Sequence, residues 1–254
     1  VASQLARHPL LLDELLDPRS LYRPLTREEL RRDLAHRLAS IEVDDPEALM
    51  IALRQFKQAN VLRVAAADIS GAIPLMVVSD YLSYLAETVV DSVMRHAWRM
   101  TAQRHGVPPG ARPDEPDEPD GFGVIAYGKL GGLELGYGSD LDLVFLYDGD
   151  GLAQTDGAKP VTVAEFFARL GKRLIHLLTT NTPAGVLYET DLRLRPSGSS
   201  GLLVSRIDAF ATDQMQEAWT WEQQALVKAR FVAGDTRVGE RFGSIRQRSL
   251  CRVR

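Results

Sequence analysis

Apolar residues in the first hundred positions recur at the spacing of helices. One stripe of leucines consists of Leu11, Leu12, Leu15 and Leu16. Thr26, followed three residues later by Glu29, predicts the capping box that begins a helix. Pro46 suits the first position of a second helix, and a third long helix is predicted from near Ser79. Residues 1–106 are therefore predicted to form a helical arm or bundle.

The pattern changes on either side of residues 107–121. Residues 108–120 contain five prolines and five acidic residues, which predicts an extended, solvated linker. Beyond it, short apolar runs alternate with helical patterns, which predicts an α/β or α+β domain over 122–254. The predicted strands cover 123–127, 141–147, 185–195 and 226–232. The predicted helices lie at 163–178, near 207–223 and at 235–247.

Two carboxylates interrupt the apolar strand predicted at 141–147. Asp140 and Asp142 are two residues apart, so their side chains point to the same face. Like charges side by side repel, and a divalent cation between them would remove that repulsion. The alternative is a strand that begins in solvent, with Asp140 capping a turn and Asp142 exposed.

Glycines fill the segment between the first strand and this pair. Glycine lets backbone N–H groups approach a phosphate closely, and Lys129 adds a positive charge beside Gly128. A long turn between neighbouring strands also requires glycine and is the alternative interpretation. A strand, a glycine-rich turn with a cation, and then Asp-x-Asp on the next strand together favour phosphate binding.

The strand predicted at 185–195 carries a third carboxylate. Alternation places Asp191, Arg193 and Arg195 on one face. Beside the acidic strand, Asp191 would join the first two aspartates, and the arginines would bind triphosphate oxygens. A surface strand with self-compensating charges is the alternative. Lys228 and Arg230 alternate in the same way and are phosphate ligands or part of a solvated strand face.

Composition narrows the class of protein. The 254 residues are 45% hydrophobic and 25% charged, which argues against a disordered chain or a fibre. A net charge of −4 gives no general basic surface for nucleic acid, and no apolar run reaches the roughly 18 residues of a membrane span. The single cysteine, Cys251, favours a reducing compartment, so we expect a cytoplasmic protein.

Three carboxylates with several cations are typical of nucleotidyl transfer with two metal ions. One metal lowers the pKa of the attacking hydroxyl, and the other neutralises charge on the leaving pyrophosphate. The protein then contributes mainly positioning and charge stabilisation.

The motifs carry a family resemblance. Tyr127-Gly128-Lys129, ten residues, and Asp140-Leu141-Asp142-Leu143 resemble the signature of the DNA-polymerase-β-type nucleotidyltransferases, with Lys129 where Gly or Ser is usual. Longer segments are similar to the bifunctional glutamine synthetase adenylyltransferase/adenylyl-removing family. These are 5–9, 54–58, 128–142, 188–198 and 217–222.

The resemblance implies an α+β fold, with a helical region followed by a polymerase-β-like core with a small mixed sheet and flanking helices. It implies Mg²⁺ bound by Asp140, Asp142 and Asp191, with Gly138 and Ser139 facing the triphosphate of ATP. It also implies transfer of AMP to a tyrosine of glutamine synthetase, as in the C-terminal half of these enzymes. The family's regulators are glutamine and the PII signalling protein.

Two alternatives to this function stay open. One is the reverse chemistry, phosphorolytic removal of AMP from glutamine synthetase on the same scaffold. The other is an inactive regulatory or docking fragment, because the resemblance implies a further helical domain after residue 254. On this interpretation the sequence is cut from a longer enzyme at both ends.

Overall fold

The computed structural model describes residues 23–112, 118–194, 201–216 and 220–251. Within it the chain divides into two compact units. The first comprises Val1–Val89, Leu133–Ser139 and Asn181–Leu187, and the second comprises Val90–Gly132, Asp140–Thr180 and Tyr188–Arg254. The predicted leucine stripe at 11–16 lies outside the described residues. The predicted domain boundary at 107–121 stays a prediction.

Three helices follow the predicted order in the N-terminal part of the chain: α1 (Arg27–Leu38), α2 (Pro46–Ile69) and α3 (Leu75–His105). The capping box is confirmed, because the Thr26 hydroxyl accepts from the Glu29 N–H and the Glu29 carboxylate accepts from the Thr26 N–H. Asp45 caps α2 by accepting a hydrogen bond from the N–H of Ala48 at 2.9 Å. Helix α3 begins four residues before the predicted position, directly after Pro74.

The first unit has a core of apolar side chains from these helices. Helix α1 buries Leu30 and Leu34, and α2 buries Leu53 and Phe56. The part of α3 in this unit adds a row of fully buried residues, namely Leu85, Ala86 and Val89. Their helical spacing places one apolar face of each helix in the core.

The second unit contains a five-stranded mixed sheet. Its strands are β1 (Phe122–Ala126), β2 (Leu141–Tyr147), β3 (Thr190–Asp191), β4 (Val204–Arg206) and β5 (Arg230–Gly234). The order is β3-β2-β1-β5, and β4 also pairs with β2. Strand β1 is antiparallel to β2 and to β5, whereas β3 and β4 run parallel to β2. The expected α+β fold with a small mixed sheet is confirmed.

The described residues of this unit form five further helical segments: α4 (Gly128–Gly131), α5 (Val163–Thr179), α6 (Ile207–Gln216), α7 (Thr220–Leu226) and α8 (Thr236–Leu250). One sheet face packs aromatic rings of β1, β2 and α5, with the ring centroids of Phe122 and Phe167 5.7 Å apart. The other face packs against α6 and α8 through residues such as Phe210 and Phe242. Both sheet faces are thus covered. None of the described helices is long and apolar enough to cross a membrane.

Two predicted strands were wrong in their extent. The strand predicted at 185–195 shrinks to Thr190–Asp191, because a turn begins at Arg193. The strand predicted at 226–232 begins only at Arg230, since Leu226 ends helix α7. The glycine-rich segment expected to be a turn opens with the helical turn α4.

Candidate functional site

Two of the three predicted carboxylates meet across the pairing of β2 with β3. Asp142 is the register partner of Asp191 in this parallel pair. The N–H of Leu141 donates to the carbonyl of Glu189 at 2.9 Å, which fixes the register one residue earlier. Asp140 directly precedes β2 and is exposed. The structure therefore brings the acidic side chains at the N-terminal end of β2 next to the acidic residue of the short strand β3.

The neighbouring acidic side chains change the pKa of Asp142. Its pKa is raised, first by burial and then by the negative charges of Asp140 and Asp191. Lys129 and Arg193 act in the opposite sense and lower the pKa of the same carboxyl. Asp142 is half-buried, so its environment differs from the exposed one of the alternative interpretation.

The backbone of Gly128 lies against the carboxylate of Asp142. Gly128 has a φ of +52°, in the left-handed region that favours glycine. A methyl group on its Cα would overlap Oδ2 of Asp142. The preceding residue, Tyr127, donates its N–H to the carbonyl of Asp142 at 2.9 Å. Glycine is thus required here for a close approach between the turn and the carboxylate.

Lys129 follows on the helical turn α4, and its side chain is exposed. The turn is held from β5 by a residue whose role the sequence did not reveal. The guanidinium of Arg230 donates to the carbonyls of Gly131 at 3.2 Å and Leu130 at 3.1 Å. Arg230 is half-buried and anchors the glycine-rich turn rather than lying on a solvated face, and its role as a phosphate ligand stays a prediction.

The third carboxylate is engaged by the arginine two residues after it. Asp191 accepts from the Arg193 backbone N–H at 2.8 Å and from Nε and Nη2 of the same guanidinium at 2.8 and 2.5 Å. These hydrogen bonds lower the pKa of Asp191. The Asp side chain closes a local turn, which replaces the strand expected at this point.

The remaining predicted residues occupy different settings. Gly138 is exposed, with open space where a Cβ would stand. The hydroxyl of Ser139 accepts a hydrogen bond from the N–H of Gly136 at 3.1 Å. Lys228 is exposed, and its carbonyl lies against Gly131. Arg195 lies outside the described residues.

The donor set at the ends of β2 and β3 suits a hard cation. Carboxylate oxygens are the ligands that Mg²⁺ prefers, and a cation would offset the repulsion that raises the pKa of Asp142. Among the described residues, no three His, Cys, Asp or Glu side chains converge as a ready metal-binding group. Asp191 is committed to Arg193 instead, so a cation would compete with the guanidinium for that carboxylate.

Helix α2 holds the segment that leads into β3. Arg54 donates to the carbonyl of Gly185 at 2.6 Å, Lys57 to that of Leu187 at 2.5 Å, and Gln58 to that of Ala184 at 2.9 Å. We call these three side chains the α2 clamp. Leu187 precedes Asp191 by four residues. The sequence signal for this clamp was a group of long polar side chains within an otherwise apolar helix.

Comparison with known proteins identifies relatives over almost the whole chain. The profile of the family described as glutamate-ammonia ligase adenylyltransferase matches residues 1–245. The chain is 61% identical over 251 residues to a bifunctional glutamine synthetase adenylyltransferase/adenylyl-removing enzyme of Methylococcus capsulatus. It is 56% identical over 254 residues to the enzymes of that name from Pseudomonas syringae and Pseudomonas putida. These matches cover 98–100% of the chain but only 26% of each relative, so the chain spans about a quarter of their length.

Proposed function

We propose, from the premise that this chain belongs to the glutamate-ammonia ligase adenylyltransferase family, that its mixed sheet carries an adenylyl-transfer site. The reaction joins AMP from ATP to a tyrosine hydroxyl of glutamine synthetase and releases pyrophosphate. The observation that carries the proposal is the pairing of Asp142 with Asp191, next to Asp140, at the end of β2. Gathered carboxylates of this kind repel one another unless a cation joins them.

Asp140, Asp142 and Asp191 would hold Mg²⁺. When bound, the metal supplies a lowered pKa for the attacking hydroxyl and neutralises charge on the leaving pyrophosphate. Gly128 keeps the Asp142 carboxylate in place by leaving room for Oδ2. Asp191, whose pKa is low, stays ionised and can accept the hydroxyl proton only weakly, so its main role is electrostatic.

The cations around the carboxylates would serve the triphosphate. Lys129 is exposed on the glycine-rich turn and already acts electrostatically on Asp142. Arg193 would leave Asp191 for phosphate oxygens, because its guanidinium offers the same fork of donors to either anion. Gly138 and Ser139, on the loop before Asp140, would approach the triphosphate with backbone N–H groups.

The test uses labelled ATP and unmodified glutamine synthetase. We expect Asp142→Asn to lower label transfer at least 100-fold, because the amide keeps the shape but loses the charge that binds the metal. Glu240→Gln removes an exposed charge on α8 and serves as the matched control with wild-type transfer. Full transfer by Asp142→Asn would refute the proposal.

Phosphorolytic removal of AMP is the second candidate, because the relatives' name includes an adenylyl-removing activity. In that reaction phosphate attacks the AMP-tyrosine bond and yields ADP and free tyrosine hydroxyl. Incubating the chain with labelled, adenylylated glutamine synthetase and phosphate separates the two reactions, since labelled ADP forms only by removal. Release of labelled ADP without any forward transfer would favour the remover.

The family's regulators also belong to the proposal. Glutamine and the PII signalling protein would alter transfer only where the chain contains their sites. Transfer measured with and without each effector tests this point. An unchanged rate would place effector recognition outside this quarter of the relatives' length.

A further inference from the structure

A basic groove lies between the last turn of α3 and one face of α5, within the second unit. It has a volume of about 300 Å³. We call it the basic groove, and its lining residues are Thr101, Arg104, His105, Arg169, Lys172, Arg173 and His176. It shares no residue with the carboxylates of β2 and β3. Four permanent cations in one groove are unexpected in a chain whose net charge is −4.

Within the described residues, only one of these cations has a carboxylate partner. Arg169 pairs with Glu165 one turn earlier on α5, at 2.5 Å. Arg104, Lys172 and Arg173 make no ion pair or hydrogen bond with the described part of the chain. The nearby Asp156 accepts a hydrogen bond from the N–H of Val107 at 2.7 Å. Three positive charges therefore face one groove without a carboxylate partner in the part of the chain that the structure describes.

This arrangement is unfavourable without a ligand. Burial and the charge of Arg104 both lower the pKa of Arg173, which is half-buried. The buried imidazole of His105, which also lines the groove, is fixed by a contact of 2.8 Å between Nδ1 and the carbonyl of Lys159. A bound anion would offset the repulsion between the two arginines.

We propose that the basic groove binds a multiply charged phosphate anion, either free pyrophosphate or the polyphosphate of a nucleotide. Arg169 and Arg173 are about 6 Å apart along the axis of α5. An extended acidic peptide presents one carboxylate about every 7 Å on a given side, so it brings one or two charges to such a length. A diphosphate brings roughly three charges to the same space, which matches the three unpaired cations.

The residues that line the groove bear on whether it would prefer free pyrophosphate or a nucleotide. Among the described residues that line it, the aromatic rings are the imidazoles of His105 and His176, and no Phe, Tyr or Trp offers a nucleotide base a large ring to stack on. We therefore expect pyrophosphate and ADP to bind with similar affinity. A preference for ADP of more than tenfold would contradict this assignment of the binding chemistry to the phosphates alone.

The experiment titrates the 254-residue chain with pyrophosphate by calorimetry, with EDTA present to keep metal from the carboxylates. We expect the double substitution Arg104→Gln, Arg173→Gln to weaken binding at least 10-fold. Arg248→Gln, which removes an exposed charge from α8, should leave the affinity unchanged. Asp142→Asn should also bind normally, which separates this site from that of the proposed function.

Thermal melting tests whether the double variant is folded, so that a loss of pyrophosphate binding can be interpreted. Without pyrophosphate, the double variant should melt at the same temperature as wild type or higher, because a repulsive pair is gone. If it fails to fold, the single substitution Lys172→Gln at an exposed position takes its place, with an expected loss of at least 3-fold. Unchanged binding in the folded variants, or tighter binding of a hexaglutamate peptide than of pyrophosphate, would overturn the proposal.

Discussion

The carboxylate of Asp142, which we propose binds the metal, causes a local loss of stability when it is ionised. Its raised pKa means that the folded state favours the protonated carboxyl. The wild type therefore loses stability as the pH rises through the pKa of this carboxyl in the folded state. Below the pKa of the unfolded chain, the carboxyl is protonated in both states and the effect vanishes. Functional sites commonly accept such a loss of stability.

Asp142→Asn should consequently raise thermal stability at pH 7 in EDTA. Solvent screens this half-exposed carboxyl, so we expect a gain of less than about 1 kcal/mol and a rise in melting temperature of at most about 2–4 °C. Calorimetric melting of both proteins checks this, and the difference should shrink as the pH falls toward 4. A lower melting temperature for Asp142→Asn at pH 7 would contradict the repulsion described for this site.

Gly128→Ala should damage the site through its backbone. Alanine at a φ of +52° costs about 1–2 kcal/mol, and its methyl group overlaps Oδ2 of Asp142. We expect transfer activity to fall at least 10-fold together with that loss of stability in urea unfolding. Gly243→Ala on α8 is the matched control, because open space surrounds that position and it lies outside the proposed site. Equal effects of the two substitutions would argue against a specific approach at Gly128.

Arg193→Gln should release the carboxylate of Asp191. The hydrogen bonds from Arg193 are the main cause of the low pKa of Asp191, so the pKa should rise in the variant. NMR titration of the aspartate carboxyl carbons measures this change. In wild type, the stabilisation from this pair is present above the carboxyl's unfolded pKa and lost as the pH falls through its folded pKa. An unmoved titration would mean that the ion pair contributes little in solution.

The α2 clamp operates at the scale of elements, because one helix holds the backbone of a distant segment. Lys57 is the critical member, since burial and the charge of Arg54 lower its pKa to about 8. Between pH 8 and 10.5 the unfolded chain binds a proton that the folded chain has lost. Stability should therefore rise with pH over this range, by up to about 3 kcal/mol.

Lys57→Met tests the clamp. The variant should lose the rise in stability between pH 8 and 10, because the buried amine is gone, and it leaves the carbonyl of Leu187 without this donor. Urea unfolding at several pH values gives the measurement. Lys159→Met, at an exposed position, should keep the wild-type pH dependence. A parallel pH profile for wild type and Lys57→Met would count against the buried amine.

Elements with strong local signals were predictable from the sequence. The strand over 141–147 and the helix beginning at Val163 follow from unbroken alternation or a helical apolar face, and both are confirmed. The strand over 185–195 was mispredicted because the Asp191 side chain bonds the Arg193 backbone, a local competition that alternation does not reveal. In this segment a hydrogen bond between residues two positions apart ends the strand.

The contacts that the sequence could not predict are long-range. Arg230 binds carbonyls 99 and 100 residues away, and the α2 clamp binds carbonyls 126–131 residues away. Periodicity in the sequence assigns such residues to one face of a helix or strand, but it does not predict which backbone carbonyls their side chains bind. The sequence predicted that Asp142 and Asp191 would meet only if their two strands were neighbours, and it did not predict which strands are neighbours.

At the scale of the whole molecule, α3 belongs to both compact units, with Val89 in one and Val90 in the other. Unfolding either unit removes the support of half of this helix, so we expect the two units to unfold together. All three tryptophans belong to the second unit, whereas far-UV circular dichroism reports helices of both. The two signals should show one midpoint in urea, and separate midpoints would contradict shared cooperativity.

The long sequence separation in the α2 clamp has a consequence for synthesis. Ribosomes add about 5–20 residues per second, so α2 emerges roughly 6–26 s before the carbonyls that it binds. During that interval Arg54 and Lys57 have no native acceptors in segment 184–187. Slower translation between α2 and residues 184–187 would lengthen the interval in which these cations are hydrated instead of bound to their native carbonyls. A codon change that alters only translation speed could thus change the yield of folded protein without altering any residue.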